Sequence, residues 1–241
     1  MEQSGATTLL QGAVQDVASD VVSALRGGDH VRVSGTEAVD GHGGSLAFAA
    51  VRVLGADLLL PHVLFRTPPV PETLTVFRET VEAFPPRADA APTVLWSHWA
   101  MSRTLRRFDS PQSGPPPTGP PGTDATAEPD ARWLDEATWQ VLTHQLAVLA
   151  PLAVPGGDCA VARAARRRTV DVARGFVRAV RRRDWQQAAG AGRWLTLLED
   201  VPDALGLEAG LDFVELMGGT DPRVALQAQA ARVIRAAGAL V

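Results

Sequence analysis

The chain contains no lysine, no asparagine, no tyrosine and a single isoleucine, Ile234; all 23 of its basic residues are arginine. Codons for the missing residues are A/T-rich, so a GC-rich genome accounts for the pattern. The chemical consequence is independent of the cause. Without lysine there is no Schiff base, no pyridoxal phosphate held as an internal aldimine, and no Walker-type lysine on a phosphate. Carbonyl reduction by a tyrosine–lysine pair is excluded, and so is kinase chemistry that needs lysine and a catalytic-loop asparagine. One cysteine, Cys159, cannot form an internal disulfide. No HxH, HExxH or CxxC spacing occurs, so no metal or cofactor is expected. The remaining catalytic repertoire is His, Asp, Glu, Arg, Ser, Thr and backbone.

Apolar residues make up 46% and charged residues 21% of 241, with a formal net charge of −4. That balance fits a globular protein and opposes a general polyanion binder. No uninterrupted apolar run approaches the roughly 20 residues of a spanning helix. The first residues lack the basic and apolar regions of a secretory signal, so a cytoplasmic location is expected.

Residues 109–130, DSPQSGPPPTGPPGTDATAEPD, have almost no apolar side chains and divide the chain. Too little surface can be buried there to offset ordering entropy, which predicts a flexible Pro/Gly linker. The expected architecture is therefore α+β: an N-terminal domain over 1–108, with a small mixed sheet and flanking helices, then a C-terminal helical bundle over 131–241 packed on it. In the first part, residues 7–26 carry a helical stripe. Residues 30–35, 45–55, 57–67 and 93–100 read as strands, and Pro71 opens a helix ending near Phe84. The order 57–67, helix, 93–100 suggests a right-handed β-α-β crossover. After the linker, helices are expected over 131–150, 159–183, 184–200, 203–217 and from Asp221 onward. Asp184 with Gln187, and Asp221 with Pro222, have the spacing of helix starts.

The stretch TVLWSHWAMSR, residues 93–103, raises the clearest question of function. On a strand Trp96 and His98 would share a face. A neighbouring strand would supply His62, with Arg66 further along, and Arg103 follows closely. His98 and His62 are then candidates for acid–base catalysis, since imidazole titrates near neutrality. Trp96, Arg66 and Arg103 are candidate ligand contacts. The other reading makes both histidines hydrogen-bonded strand residues. DGHGGS, residues 40–45, could cradle an anion on backbone N–H groups or simply turn a hairpin. His30 and His42 have no neighbouring cysteine.

Between Asp158 and Arg183 stand nine arginines and two aspartates, an excess of seven positive charges. Arg163, Arg167, Arg174, Arg178 and Arg182 would cluster on one face of a helix, as an anion or partner site. The plainer reading pairs them with acids of LLEDVPD and EAGLDFVE. Cys159 at the start of that helix would favour a thiolate. Two functions are carried forward. One is a small-molecule-binding protein, extending to a cofactor-independent acid–base enzyme of specialised metabolism. The other is a protein–protein interaction module or homo-oligomer using the bundle and its arginine helix. Nucleic-acid binding through 163–183 is the weakest.

Overall fold

The structure, a computed structural model, describes residues 2–27, 43–109 and 127–238. Among these every regular element is helical and there is no strand, so the expected N-terminal sheet is not formed and the fold is all-α. The segments read as strands over 45–55 and 57–67 are helix α2 (Gly43–Leu54), a 3-10 turn (Gly55–Leu59) and helix α3 (Leu60–Phe65). Ala47, Ala50, Val51 and Leu54 are buried while Arg52 and Val53 are exposed, which is a helical period and not an alternation. The run is so uniformly apolar that either period can be drawn through it. Leu46–Phe65 is also long and apolar enough to cross a membrane by composition, yet 67% of it is buried inside the fold. The strand expected at 93–100 belongs to helix α5 (Pro92–Asp109), whose buried residues Trp96, Trp99 and Ala100 again follow the helical period. Residues 30–35 and most of the proline-rich segment lie outside the described residues.

The remaining elements are α1 (Glu2–Leu25), α4 (Pro71–Ala83), α6 (Arg132–Glu136), α7 (Trp139–Val148), α8 (Ala160–Arg167), α9 (Thr169–Arg181), α10 (Trp185–Leu195), α11 (Leu207–Gly218) and α12 (Pro222–Gly238), with 3-10 turns at Ala150–Leu152 and Asp203–Leu205. Local chemistry sets several starts. Pro71 and Pro92 stand at the first positions of α4 and α5. Asp184 accepts from the Gln187 amide at 3.2 Å, and Asp221 from the Arg223 amide at 3.0 Å, each satisfying an orphan donor.

Two apolar cores result. One gathers Val17, Val21, Val51, Leu58, Leu59 and Phe77 from α1–α4, together with Ala225, Leu226 and Ala230 of α12. The other gathers Leu134, Leu142, Leu146, Phe176 and Trp194, together with Trp96, Trp99 and Ala100 of α5. Helix α10 runs through the middle. A Cβ on Gly190 would stand 2.9 Å from the backbone of Ala147, so α7 and α10 cross at a spacing only glycine allows. Trp194 Nε1 locks the same crossing by donating to the Leu146 carbonyl at 2.7 Å.

A polar network lies between the cores. Arg193 of α10 is fully buried and donates through Nη1 to Asp57 Oδ1 at 2.7 Å and Gln227 Oε1 at 2.8 Å, and through Nε to the Ala153 carbonyl at 3.0 Å. Gln227 Nε2 closes the ring on Asp57 Oδ2 at 2.6 Å. Desolvating two ions is unfavourable, so the triad adds little over an apolar cluster of the same shape, although removing one partner would strand a buried charge.

Candidate functional site

Residues two apart on a helix are about 200° apart around its axis. Helical geometry therefore reverses the strand reading: Trp96 and His98 face opposite ways. Trp96 turns into the core and donates from Nε1 to the Asp130 carbonyl at 3.1 Å. His98 is half-buried and faces a cleft of about 180 Å³ formed with α2, α4 and the segment after α4. Arg52, Ser97 and Thr93 supply the other polar groups there, and Phe84, Met101 and Val148 the apolar wall. Arg52 donates to the Phe84 carbonyl at 2.9 Å and stacks on the Phe84 ring, 5.3 Å from its centroid. Among the described residues Arg52 has no carboxylate partner.

Burial, and then the Arg52 charge, hold the His98 pKa below its usual value. Between that depressed pKa and the ordinary value of 6.5, the unfolded chain binds more protons at this site than the folded one. The His98 contribution is therefore complete above about pH 6.5. Stability falls as pH drops below it, levelling off under the depressed value. Melting curves of the wild type and His98→Gln should diverge across that acidic window and run parallel above neutrality. Parallel curves throughout would contradict the assignment.

The other expected site residues are not gathered here. His62 is buried on α3 with Nδ1 3.3 Å from Thr67 Oγ1, and it does not line the His98 cleft. Among the described residues no pair of strands exists to bring the two together. Arg66 is exposed at the C-cap of α3 in the left-handed region, φ 55°. Arg103 stacks on Trp99 at 5.1 Å, donates to the Asp158 carbonyl at 2.9 Å, and borders a different cleft of about 270 Å³ with Arg107 and Gly156. His30, His42 and the glycine-rich loop before α2 fall outside the described residues, save for the backbone at the start of α2.

The arginine helix is two helices, α8 and α9, broken at Arg168. The Arg168 guanidinium reaches across to the carbonyls of Leu134 at 3.1 Å and Ala137 at 2.6 Å while pairing with Asp171. Its neighbours find acids, but not those expected. Arg163 pairs with Glu128 and Asp158, Arg166 with Asp158, and Arg167 with Asp135. The acids of EAGLDFVE serve Arg26, Arg232 and Arg235 instead. Arg174 and Arg178 lie over the Trp139 ring at 5.7 and 5.5 Å, with Asp171 3.6 Å from Arg174. Arg182 caps α9, and among the described residues Arg178, Arg181, Arg182 and Arg183 form no ion pair. Cys159 is buried as the cap of α8, accepting from the Ala162 amide, and burial raises its pKa. The thiolate expected from the basic helix is disfavoured.

A further polar cleft, of about 220 Å³, adjoins the first at Val148 and was not legible in the sequence. Asp57 and Gln227 of the buried network reach its floor, and Arg223, His144 and Gln187 its rim. His144 Nδ1 lies 3.3 Å from Gln187 Oε1. The available signal was Arg193 itself, a lone charge inside the small-residue helix AAGAGRWL. Among the described residues no group of three or more His, Cys, Asp or Glu could hold a metal ion. The chain matches no protein-family model, and neither the curated proteins nor the solved structures offer a match.

Proposed function

We propose that the protein binds a compact anion with an apolar body, a small carboxylate, in the cleft between α2, α4 and α5. The observation that carries this reading is the pairing of Arg52, which has no carboxylate partner among the described residues, with His98, whose neutral form is favoured, in one apolar-walled cleft. An anion would supply Arg52 with charge-assisted hydrogen bonds of about 1.5–3 kcal/mol. Ser97 and Thr93 add hydroxyls, and Phe84 and Met101 cover the ligand's carbon skeleton. The volume of about 180 Å³ is below the ~300–1,000 Å³ of drug-sized sites, so the ligand is small.

A neutral imidazole beside a bound carboxylate is poised to accept a proton from an adjacent carbon or hydroxyl. Acid–base catalysis without a cofactor is the enzymatic form of this reading.

Titration with butyrate and benzoate, followed by the His98 ring proton resonances, tests it. Saturable shifts are expected, with the His98 pKa rising as the anion binds. Arg52→Gln should weaken binding on the order of tenfold, as expected for loss of a charged hydrogen bond. It should lower the melting temperature only slightly, since the exposed side chain gives up one hydrogen bond to the Phe84 carbonyl and its stacking on that ring. Absence of any His98 shift at about 1 mM, where a −4.1 kcal/mol interaction would already be half-occupied, would sink the proposal.

A further inference from the structure

Helix α11 buries Leu211 and Val214 and turns Phe213, Leu216 and Met217 outward, Leu216 with 80% of its surface exposed. Contiguous exposed apolar surface rimmed by polar residues is the kind of surface that marks interaction sites. Its ends are oppositely charged. Trp185, at the start of α10, meets Phe213 edge-on at 5.9 Å and would touch any Cβ on Gly218; Gly192, near the end of α10, lies against Leu211. Helices α10 and α11 are therefore antiparallel. It follows from chain continuity that Arg181, Arg182 and Arg183, just before α10, stand at the C-terminal end of α11. Glu199, Asp200 and Asp203, in the loop after α10, stand at its N-terminal end. All six are exposed, and none forms an ion pair among the described residues.

We propose that this face is the dimer interface, and that its partner is a second copy of the same chain. A two-fold axis across the middle of α11 would set the two helices antiparallel, Phe213 and Leu216 against their counterparts. The arginine end of each copy would then meet the acidic end of the other, twice, as an isologous interface requires. The helix spans about 18 Å at 1.5 Å per residue, enough to separate the two charged ends around an apolar centre. An anionic membrane or nucleic acid would be attracted at one end and repelled at the other. A second copy satisfies both. The inference is independent of the small-molecule reading.

Sedimentation velocity over a concentration series tests it. The wild type is expected to show a monomer–dimer equilibrium that weakens as salt screens the charged ends. Leu216→Glu should be monomeric and keep the melting temperature the wild type shows when diluted to monomer, because this side chain packs on little of its own fold. Arg181→Glu with Arg182→Glu should weaken dimerisation on the order of tenfold. Adding Glu199→Arg and Asp203→Arg to the same chain should restore it, since reversed ends are complementary again. A wild type that stays monomeric throughout overturns the proposal. So does a dimer that ignores both Leu216→Glu and the charge reversal. Monomers that sediment only with vesicles containing phosphatidylserine would transfer the surface to a membrane and equally overturn it.

Discussion

Arg193→Met is expected to destabilise the protein by about 3–5 kcal/mol, the range for removing one member of a buried ion pair. The loss of the guanidinium leaves Asp57, only 2% exposed, with the Gln227 amide as its remaining side-chain partner, and deprives the Ala153 carbonyl of its donor. The combination Asp57→Leu, Arg193→Met and Gln227→Leu removes all the charge at once. It should recover most of that loss, because a well-packed apolar cluster avoids the desolvation that the ions require. Urea midpoints of the single and combined variants measure the difference. Equal destabilisation of the two would mean that side-chain shape, and not uncompensated charge, governs this site.

Trp96→Ala is expected to cost about 3–5 kcal/mol, the range for truncating a buried aromatic. Trp96 packs edge-on against Trp99 at 5.1 Å and shares the Asp130 carbonyl with Trp133 Nε1, so its removal opens a cavity and leaves that acceptor with one donor instead of two. The same variant should bind benzoate with wild-type affinity while folded, because Trp96 points away from the His98 cleft. Unfolding curves and benzoate titration together separate the two properties. Weakened binding with normal stability would return Trp96 to the ligand site, where its neighbourhood in sequence first placed it.

The helices after residue 130 were legible because prolines and capping aspartates punctuate them: Asp184, Asp221 and Pro222 each mark a start by local chemistry alone. Inside residues 45–67 the N-terminal half offered one such mark, Pro61 at the start of α3, while apolar side chains occupy nearly every other position and no period stands out. Misreading 93–100 as a strand misaimed Trp96, since the angle between residues two apart changes from a shared face to nearly opposite ones. His98 could be singled out as a lone ionisable group in an aromatic setting. Arg52 could not, because its relation to His98 depends on α2 and α5 both packing against α4. The break at Arg168 was invisible for a similar reason. The backbone carbonyls that receive its guanidinium lie more than thirty residues earlier. Asp57, Arg193 and Gln227 carry no motif at all; their partnership spans 136, 34 and 170 residues.

Those separations have a kinetic consequence. A helical protein can form most of its turns locally and fast, yet the Asp57–Gln227 bond closes a loop of 170 residues and waits for both cores to meet. A bond that forms this late lies outside a local folding nucleus, so the energy it supplies is largely missing from the transition state. Its effect is expected on the way out and not on the way in: breaking the triad, as Arg193→Met does, should speed unfolding while leaving the folding rate almost untouched. The buried arginine thus works as a clasp in time, lengthening the life of a structure whose assembly it does little to hasten.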